Sequence, residues 1–338
     1  MKLLLFIFHF PFLLLSQEFE VIQYSKDPIH SRALCIYGDK LYIGTNIGQL
    51  FVYPLNGSSL AQPYFLNCLF PEIRDVHCDK NGIILMQTGD FASVIKIDSN
   101  GVLEQVPFYA LKDSSSSIFL DGIDFENNLG FLMGDPVDGF FSLFYSEDNG
   151  ISWKPCDSKI SATDGEAAFA ASGTTVKTID HNFIFVSGGT QSRFFRSSNK
   201  GKTWELSPLP FPSSESSGPY SLSMINKKKG IVVGGDYKLP NERQNTSFYT
   251  INGGKTWKKP KQEANGYRSC VYYYRGITYC CGTNGIDYSK DNGKTWKKIA
   301  SNNCFAIVAH DDFIYFSSVN GSILKMKAKK HDFFLFNF

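Results

Sequence analysis

All four tryptophans of this 338-residue chain close the same short phrase. It reads Ser146-Glu-Asp148-Asn-Gly150-Ile-Ser152-Trp153, then Ser197-Ser-Asn199-Lys-Gly201-Lys-Thr203-Trp204. It returns as Thr250-Ile-Asn252-Gly-Gly254-Lys-Thr256-Trp257 and as Ser289-Lys-Asp291-Asn-Gly293-Lys-Thr295-Trp296. The pattern S/T-x-D/N-x-G-x-S/T-W is the Asp box, a tight hairpin turn. Its Asp or Asn accepts hydrogen bonds from turn amides, its Gly takes a positive φ, and its Trp returns into the sheet stack. Such a turn has to join two antiparallel strands, so four copies commit the region they span to repeated hairpins.

The tryptophans fall 51, 53 and 39 residues apart, the period of a propeller blade. Between them the apolar residues alternate at period two, with no useful run at helical spacing. The same period finds blades that lack a box. Each pairs a short innermost strand with a hydrophobic second strand, from Ser31–Ile36 with Leu41–Thr45 to Phe305–Ala309 with Phe313–Ser317. In the fourth pair, Glu166–Ala171 precedes Phe183–Gly189. Seven such units predict an all-β, seven-bladed β-propeller over residues 18–328. Closure is expected where Glu18–Gln23 meets the last blade, which removes an exposed sheet edge. The boxes should join third and fourth strands and act structurally, with Trp153, Trp204, Trp257 and Trp296 largely buried between blades.

The N-terminus predicts export. Met1-Lys2 gives a positive start, Leu3–Leu15 is apolar apart from His9 and Pro11, and small Ser16 precedes Gln17-Glu18. Residues 1–17 read as a signal peptide, placing the mature chain in the periplasm or outside the cell. No later stretch is long and apolar enough to span a bilayer. The net charge of +2 and the lack of a basic run with interleaved aromatics argue against nucleic acid. Residues 329–338 form a Phe-rich tail. Eight cysteines in an exported chain invite disulfides. However, Cys35, Cys78, Cys270, Cys280 and Cys281 sit inside apolar strand patterns, where a thiol behaves as a small buried hydrophobe; only Cys68 and Cys156 lie in loop-like sequence. Thiols are the favoured reading, with a bridge left open.

Gly134-Asp-Pro-Val-Asp138-Gly139, Gly165-Glu-Ala-Ala-Phe-Ala-Ala-Ser172, Ser187-Gly-Gly189, Gly234-Gly-Asp-Tyr237 and Gly266-Tyr-Arg-Ser269 give the chain a second kind of signature. With the boxes, they make the segment from Gly134 to Trp296 resemble a bacterial family related to the photosystem II assembly factor Ycf48. The likeness looks closest to secreted members from Bacteroidetes-type bacteria, often labelled oxidoreductases. It implies an exported seven-bladed propeller acting as a binding or assembly module. The sequence has no G-x-G-x-x-G after a strand and no flavin, nicotinamide or haem motif, so neither redox activity nor a cofactor is expected. The histidines share no metal-ligand spacing. Sialidases also carry Asp boxes, but the chain lacks their Phe-Arg-Ile-Pro start, the nearest segment being Ile73-Arg74-Asp75-Val76, and they have six blades.

Aligning the seven innermost strands yields one functional constellation. Their first position holds Arg32, Arg74, Asp121, Glu166, Tyr220, Arg268 and Phe305, and the next is small or short. First-position side chains should ring the mouth of the central channel. Loops after the second strands add Asp135, Asp138, Arg193, Asp236, Tyr237 and Asn284, and Tyr267 lies alongside. Arg32, Arg74 and Arg268 would form a cationic half facing Asp121, Asp135 and Glu166. Three readings stay open. The charges neutralise one another and plug the channel; or the arginines, with Arg193, Tyr220 and Tyr267, bind a polar anionic ligand; or Asp121, Asp135, Glu166 and Tyr237 include the catalytic pair of a sialidase-like glycoside hydrolase on acidic glycans. A monomeric binding module, with a protein or glycan partner, is the favoured expectation.

Overall fold

The computed structural model describes residues 18–56, 62–64, 72–89, 92–98, 100–101, 103–108 and 118–329. The expected signal segment 1–17, Cys68 and tail residues 330–338 lie outside them. The described residues form twenty-eight strands and no helix, arranged as seven antiparallel sheets, one per blade. Blades 1, 2 and 3 run outward from the innermost strands Ser31–Tyr37, Ile73–Asp79 and Leu120–Glu126. Ser217–Met224 and Cys270–Tyr274 begin blades 5 and 6. Blade 7 begins with Cys304–His310 and is completed from the other end of the chain, where Glu20–Gln23 pairs with Ser322–Lys327.

Each box behaves as its chemistry requires. In blade 3 the Ser146 hydroxyl donates to Asp148 at 2.8 Å and accepts from the Gly150 amide at 2.8 Å, while Asp148 accepts from the Ser152 amide at 2.9 Å. The residue before the Gly also turns left-handed: Asn149, Lys200, Gly253 and Asn292 have φ of 58°, 57°, 75° and 59°. Two successive residues at φ > 0 match the twist of an antiparallel hairpin. The boxes join third strands to fourth ones, with the fourth strand of blade 5 reduced to a bridge between Tyr249 and Lys258.

The tryptophans then wedge neighbouring blades apart at a fixed angle. Trp153 meets Phe108 and Phe125, Trp204 meets Phe131 and Phe185, and Trp257 meets Phe194. Only Trp296 is closed off completely, at 0% exposure, whereas the other three are half-buried. The difference comes from the abbreviated fourth strand of blade 5. The chain after it crosses to blade 6, where Gln262 accepts from the Trp296 amide at 3.0 Å and Ala264 packs with the indole.

Two expectations need correction. Cys35 and Cys78 are joined by a disulfide, not held as thiols; the innermost strands of blades 1 and 2 lie side by side, and one blade period brings the two sulfurs together. Cys156, Cys270, Cys280, Cys281 and Cys304 are free and buried. In addition, Glu166–Ala171 is not a continuous inner strand. Glu166–Ala167 is a two-residue stub on the second strand Asn182–Gly189, and the true inner strand of blade 4 is Val176–Ile179. Between the two, residues 168–175 leave the sheet.

Candidate functional site

Innermost strands carry one extra residue at the channel mouth. The pairing with the second strand slips at Arg32, Arg74, Asp121 and Tyr220, and again between Cys304 and Ile307. A bulge leaves its extra residue out of the ladder and re-aims its side chain. Arg32, Arg74, Tyr220 and Phe305 are thereby turned to the mouth, where they line a pocket of about 410 Å³ with Phe119, Phe169, Tyr237 and Tyr267.

The floor of that pocket is the segment that leaves blade 4. Residues 168–175 cross the channel and are held by almost every other blade. Arg32 of blade 1 donates Nη1 to the Ala171 carbonyl at 3.0 Å, and Arg74 of blade 2 donates Nε to the Ala170 carbonyl at 2.6 Å. Asp135 of blade 3 accepts from the Ala168 amide at 3.0 Å, Leu222 of blade 5 donates to the Thr174 carbonyl at 2.8 Å, and Ser172 donates to the Ser269 carbonyl of blade 6 at 2.9 Å. At its centre Gly173 has φ +71°, and a Cβ there would fall 2.1 Å from the Asp75 Cγ. Only glycine fits both the backbone and the space. Asp75 itself accepts from the Val76 and Ile123 amides, although burial pushes its carboxyl up to about 7.

The crossing segment therefore divides the channel. Beyond Ser172-Gly173-Thr174 lies a second chamber of about 430 Å³, walled by the far ends of the innermost strands. It contains Cys35 and Cys78 and the Lys177–Asp124 ion pair at 2.7 Å.

The two arginines at the mouth differ in how far they are neutralised. Among the described residues Arg32 has no carboxylate partner; its Nε is buried without a hydrogen bond and its guanidinium lies 5.0 Å over the Phe305 ring. Burial, and then Arg74, pulls its pKa down, the mark of a cation under strain. Arg74 is bound by Glu72 at 2.6 Å. Aromatic rings make the wall: Phe169 stacks on Tyr220 at 4.2 Å, and Tyr220 meets Tyr267 edge-on at 4.8 Å. The Tyr220 hydroxyl donates to the Ser216 carbonyl, and Tyr237 is half exposed at the rim.

The remaining candidates lie elsewhere. Arg268 is fully buried, donating to Asp287, to Asn284 at 2.6 Å and to the Tyr267 carbonyl at 2.8 Å, so it braces blade 6 rather than the pocket. Glu166 receives Arg193 through two bonds of 2.7 and 2.6 Å and also accepts from Ser187. Glu166 and Asp135 line a separate open recess between blades 3 and 4. Asp135 is itself pushed up to about 6 by burial. Asp138 is a turn residue at φ 54°, and Asp236 accepts from the Ser214 hydroxyl and the Lys238 amide. Asp121 has 0% exposure and no hydrogen bond of ordinary geometry to either oxygen. Desolvation first and Asp135 second raise its pKa well above the usual range, against the pull of Arg74 and the Ala170 amide. The expected acidic half thus does not face the arginines across the channel. Glu166 is neutralised by an arginine and Asp121 is sealed from any substrate, so neither is poised for glycosidic chemistry.

Sequence reasoning missed four parts of the site: Glu72, Phe119, Phe169 and the Ala170–Ala171 carbonyls. Glu72 could have been found as the acid two residues before Arg74, and Phe119 as the aromatic residue two before Asp121. The last two depend on the crossing segment, which no periodicity reveals.

Comparison with known proteins fits this architecture. A family model described as sortilin, neurotensin receptor 3, matches residues 142–277, and a BNR/Asp-box repeat model matches residues 287–298. No curated protein sequence matches. Among solved structures, Ycf48 bound to D1 peptide has a TM-score of 0.62 at 12% identity, covering 94% of this chain and 99% of that one. Ycf48 from Cyanidioschyzon merolae gives 0.61 at 12% identity, over 91% and 98%. A catalytically inactive virginiamycin B lyase from Staphylococcus aureus with quinupristin gives 0.66 at 12%, over 92% and 100%. At these identities the likeness establishes the fold. The chain is a seven-bladed β-propeller built with BNR/Asp-box repeats.

Proposed function

We propose that this chain is an exported, monomeric binding module that grips an anionic group of a protein partner at the mouth pocket. The observation that carries the reading is the state of Arg32 and Arg74. Both are anchored on backbone carbonyls of the crossing segment, and Arg32 faces a blind, aromatic-walled pocket with no acid among the described residues paired to it. Such a guanidinium is prepared to donate to a carboxylate or phosphate without first breaking an ion pair. Similarity to Ycf48, which has been captured with a D1 peptide, supports a protein partner. Export rests on the signal-like N-terminus. The test is retention of partners by immobilised mature protein against the Arg32→Ala/Arg74→Ala double variant, alongside a screen against fluorogenic glycosides. Partners should be lost from the double variant, with no glycoside turned over. Turnover that Glu166→Gln abolishes would overturn the proposal in favour of a hydrolase, and equal retention by both proteins would move the site elsewhere.

A further inference from the structure

We infer that the mouth pocket selects a singly charged anion on an aromatic stem, such as an arylalkyl carboxylate, and that Glu72 and the crossing segment impose this choice. This deepens the proposed function and rests on the mouth pocket being the ligand site.

The argument begins with charge. Two guanidinium groups reach the pocket, and one carboxylate, Glu72, binds one of them at 2.6 Å. Among the described residues no other charged side chain lines the pocket. His30 lies 5.2 Å from the Phe305 ring; burial first, and Arg32 next, lower its pKa, so it is neutral at physiological pH. Burial, and then Asp135, raises the sealed Asp121 carboxyl well above the usual carboxylate range. The acceptors for Arg32 Nη1 and Arg74 Nε are peptide carbonyls, which fix the guanidinium planes without cancelling charge. One positive charge is left over. A monoanion matches it, whereas a dianion would bring an uncompensated charge into a partly desolvated pocket, which is costly.

Shape gives the stem. The crossing segment stops the channel, so a ligand enters from one side and ends there; a chain cannot thread through. The walls it meets are Phe119, Phe169, Tyr220, Tyr267 and Phe305, and the Phe169–Tyr220 stack offers an edge to a further ring. Tyr220 is already committed to the Ser216 carbonyl and Ser269 to the Phe305 carbonyl, which leaves fewer free hydroxyls for a sugar-like stem. A volume of about 410 Å³ is in the range of small-ligand sites.

The experiment is calorimetric titration of the full mature protein with phenylacetate, phenylacetamide and phenyl phosphate. At about pH 8 the phosphate carries two charges. Phenylacetate should bind about tenfold more tightly than phenyl phosphate, and the uncharged amide should not bind. In Glu72→Gln, phenyl phosphate should gain about tenfold, so that the preference disappears or reverses. A wild-type protein that prefers phenyl phosphate overturns the inference while leaving the pocket a ligand site. A ratio unchanged by Glu72→Gln does the same. Should neither anion bind, both this inference and the site assignment beneath it fall. The wild-type comparison decides the matter even if the variant proves unstable.

Discussion

Blades 3 to 6 and blades 7, 1 and 2 solve the same packing problem with different materials. In the first group an Asp box turns every third strand and drives a tryptophan against the preceding blade. The second group has no box. It relies on the Glu20–Gln23 strand that closes blade 7, on Tyr24 set 5.2 Å from Phe51, and on the Cys35–Cys78 bridge between blades 1 and 2. A propeller interface thus needs one strong fixture, and a wedge, a borrowed strand or a covalent bond each supplies it. Local turn chemistry stabilises the boxed side, and connections between distant residues stabilise the other.

That contrast can be broken most sharply at Trp296, the one box tryptophan with no exposure. Trp296→Ala should cost about 3–5 kcal/mol in urea unfolding, because it empties a closed site that collapses poorly. Trp153→Ala, at a half-buried wedge, should cost visibly less; equal losses would mean the wedges share one role regardless of burial. On the unboxed side, Cys35→Ser/Cys78→Ser should cost about 2–4 kcal/mol. Reductant should lower the thermal midpoint of the wild type but leave the double variant unmoved, and a midpoint indifferent to both changes would leave blades 1 and 2 held by packing alone.

A smaller effect should appear with pH on the boxed side. Asp135 titrates at about 6 when folded, above its usual value near 3.9. The folded state then holds the proton more tightly, so this contribution is full below about pH 4 and is lost as pH rises through about 6. Asp135→Asn keeps an acceptor for the Ala168 amide and should flatten the stability profile between those limits by roughly 1–2 kcal/mol. An unchanged slope would show that burial is relieved on ionisation. Smallest of all, Asp148→Ala removes the bonds to the Ser146 hydroxyl and the Ser152 amide, at an expected cost of about 1 kcal/mol. Its partner binding should be that of wild type, since the box faces away from the mouth.

The blade count was readable because a box fixes the residues it contains and the interval to the next one. Closure was readable for the same reason, since a ring needs its open edge filled. The site was readable only where register decides direction. Arg32 and Arg74 reach the mouth as their bulged positions imply, yet Arg268 turns inward to Asp287, a partner nineteen residues downstream on a different strand. Alignment of strand starts carries no information on such a choice. Glu166–Ala171 misled for a related reason. Its run of small apolar residues around Phe169 imitates an inner strand, and an apolar run cannot distinguish a strand from a segment laid through a channel. The disulfide escaped because both cysteines occupied believable core positions.

The crossing segment also bears on how the ring is assembled. Its bond to Arg32 joins residues 139 positions apart, and Ser172 reaches forward 97 positions to Ser269. The first contact needs blades 1 and 4 brought together, and the second needs blades 4 and 6. Loop closure over such distances is slow and carries no reward before it is complete. Residues 168–175 are therefore expected to set late, as a keystone does, after the arch around it has been raised. The mouth pocket, whose floor they form, comes into being only in molecules that have finished folding. A half-built ring lacks the floor of its mouth pocket.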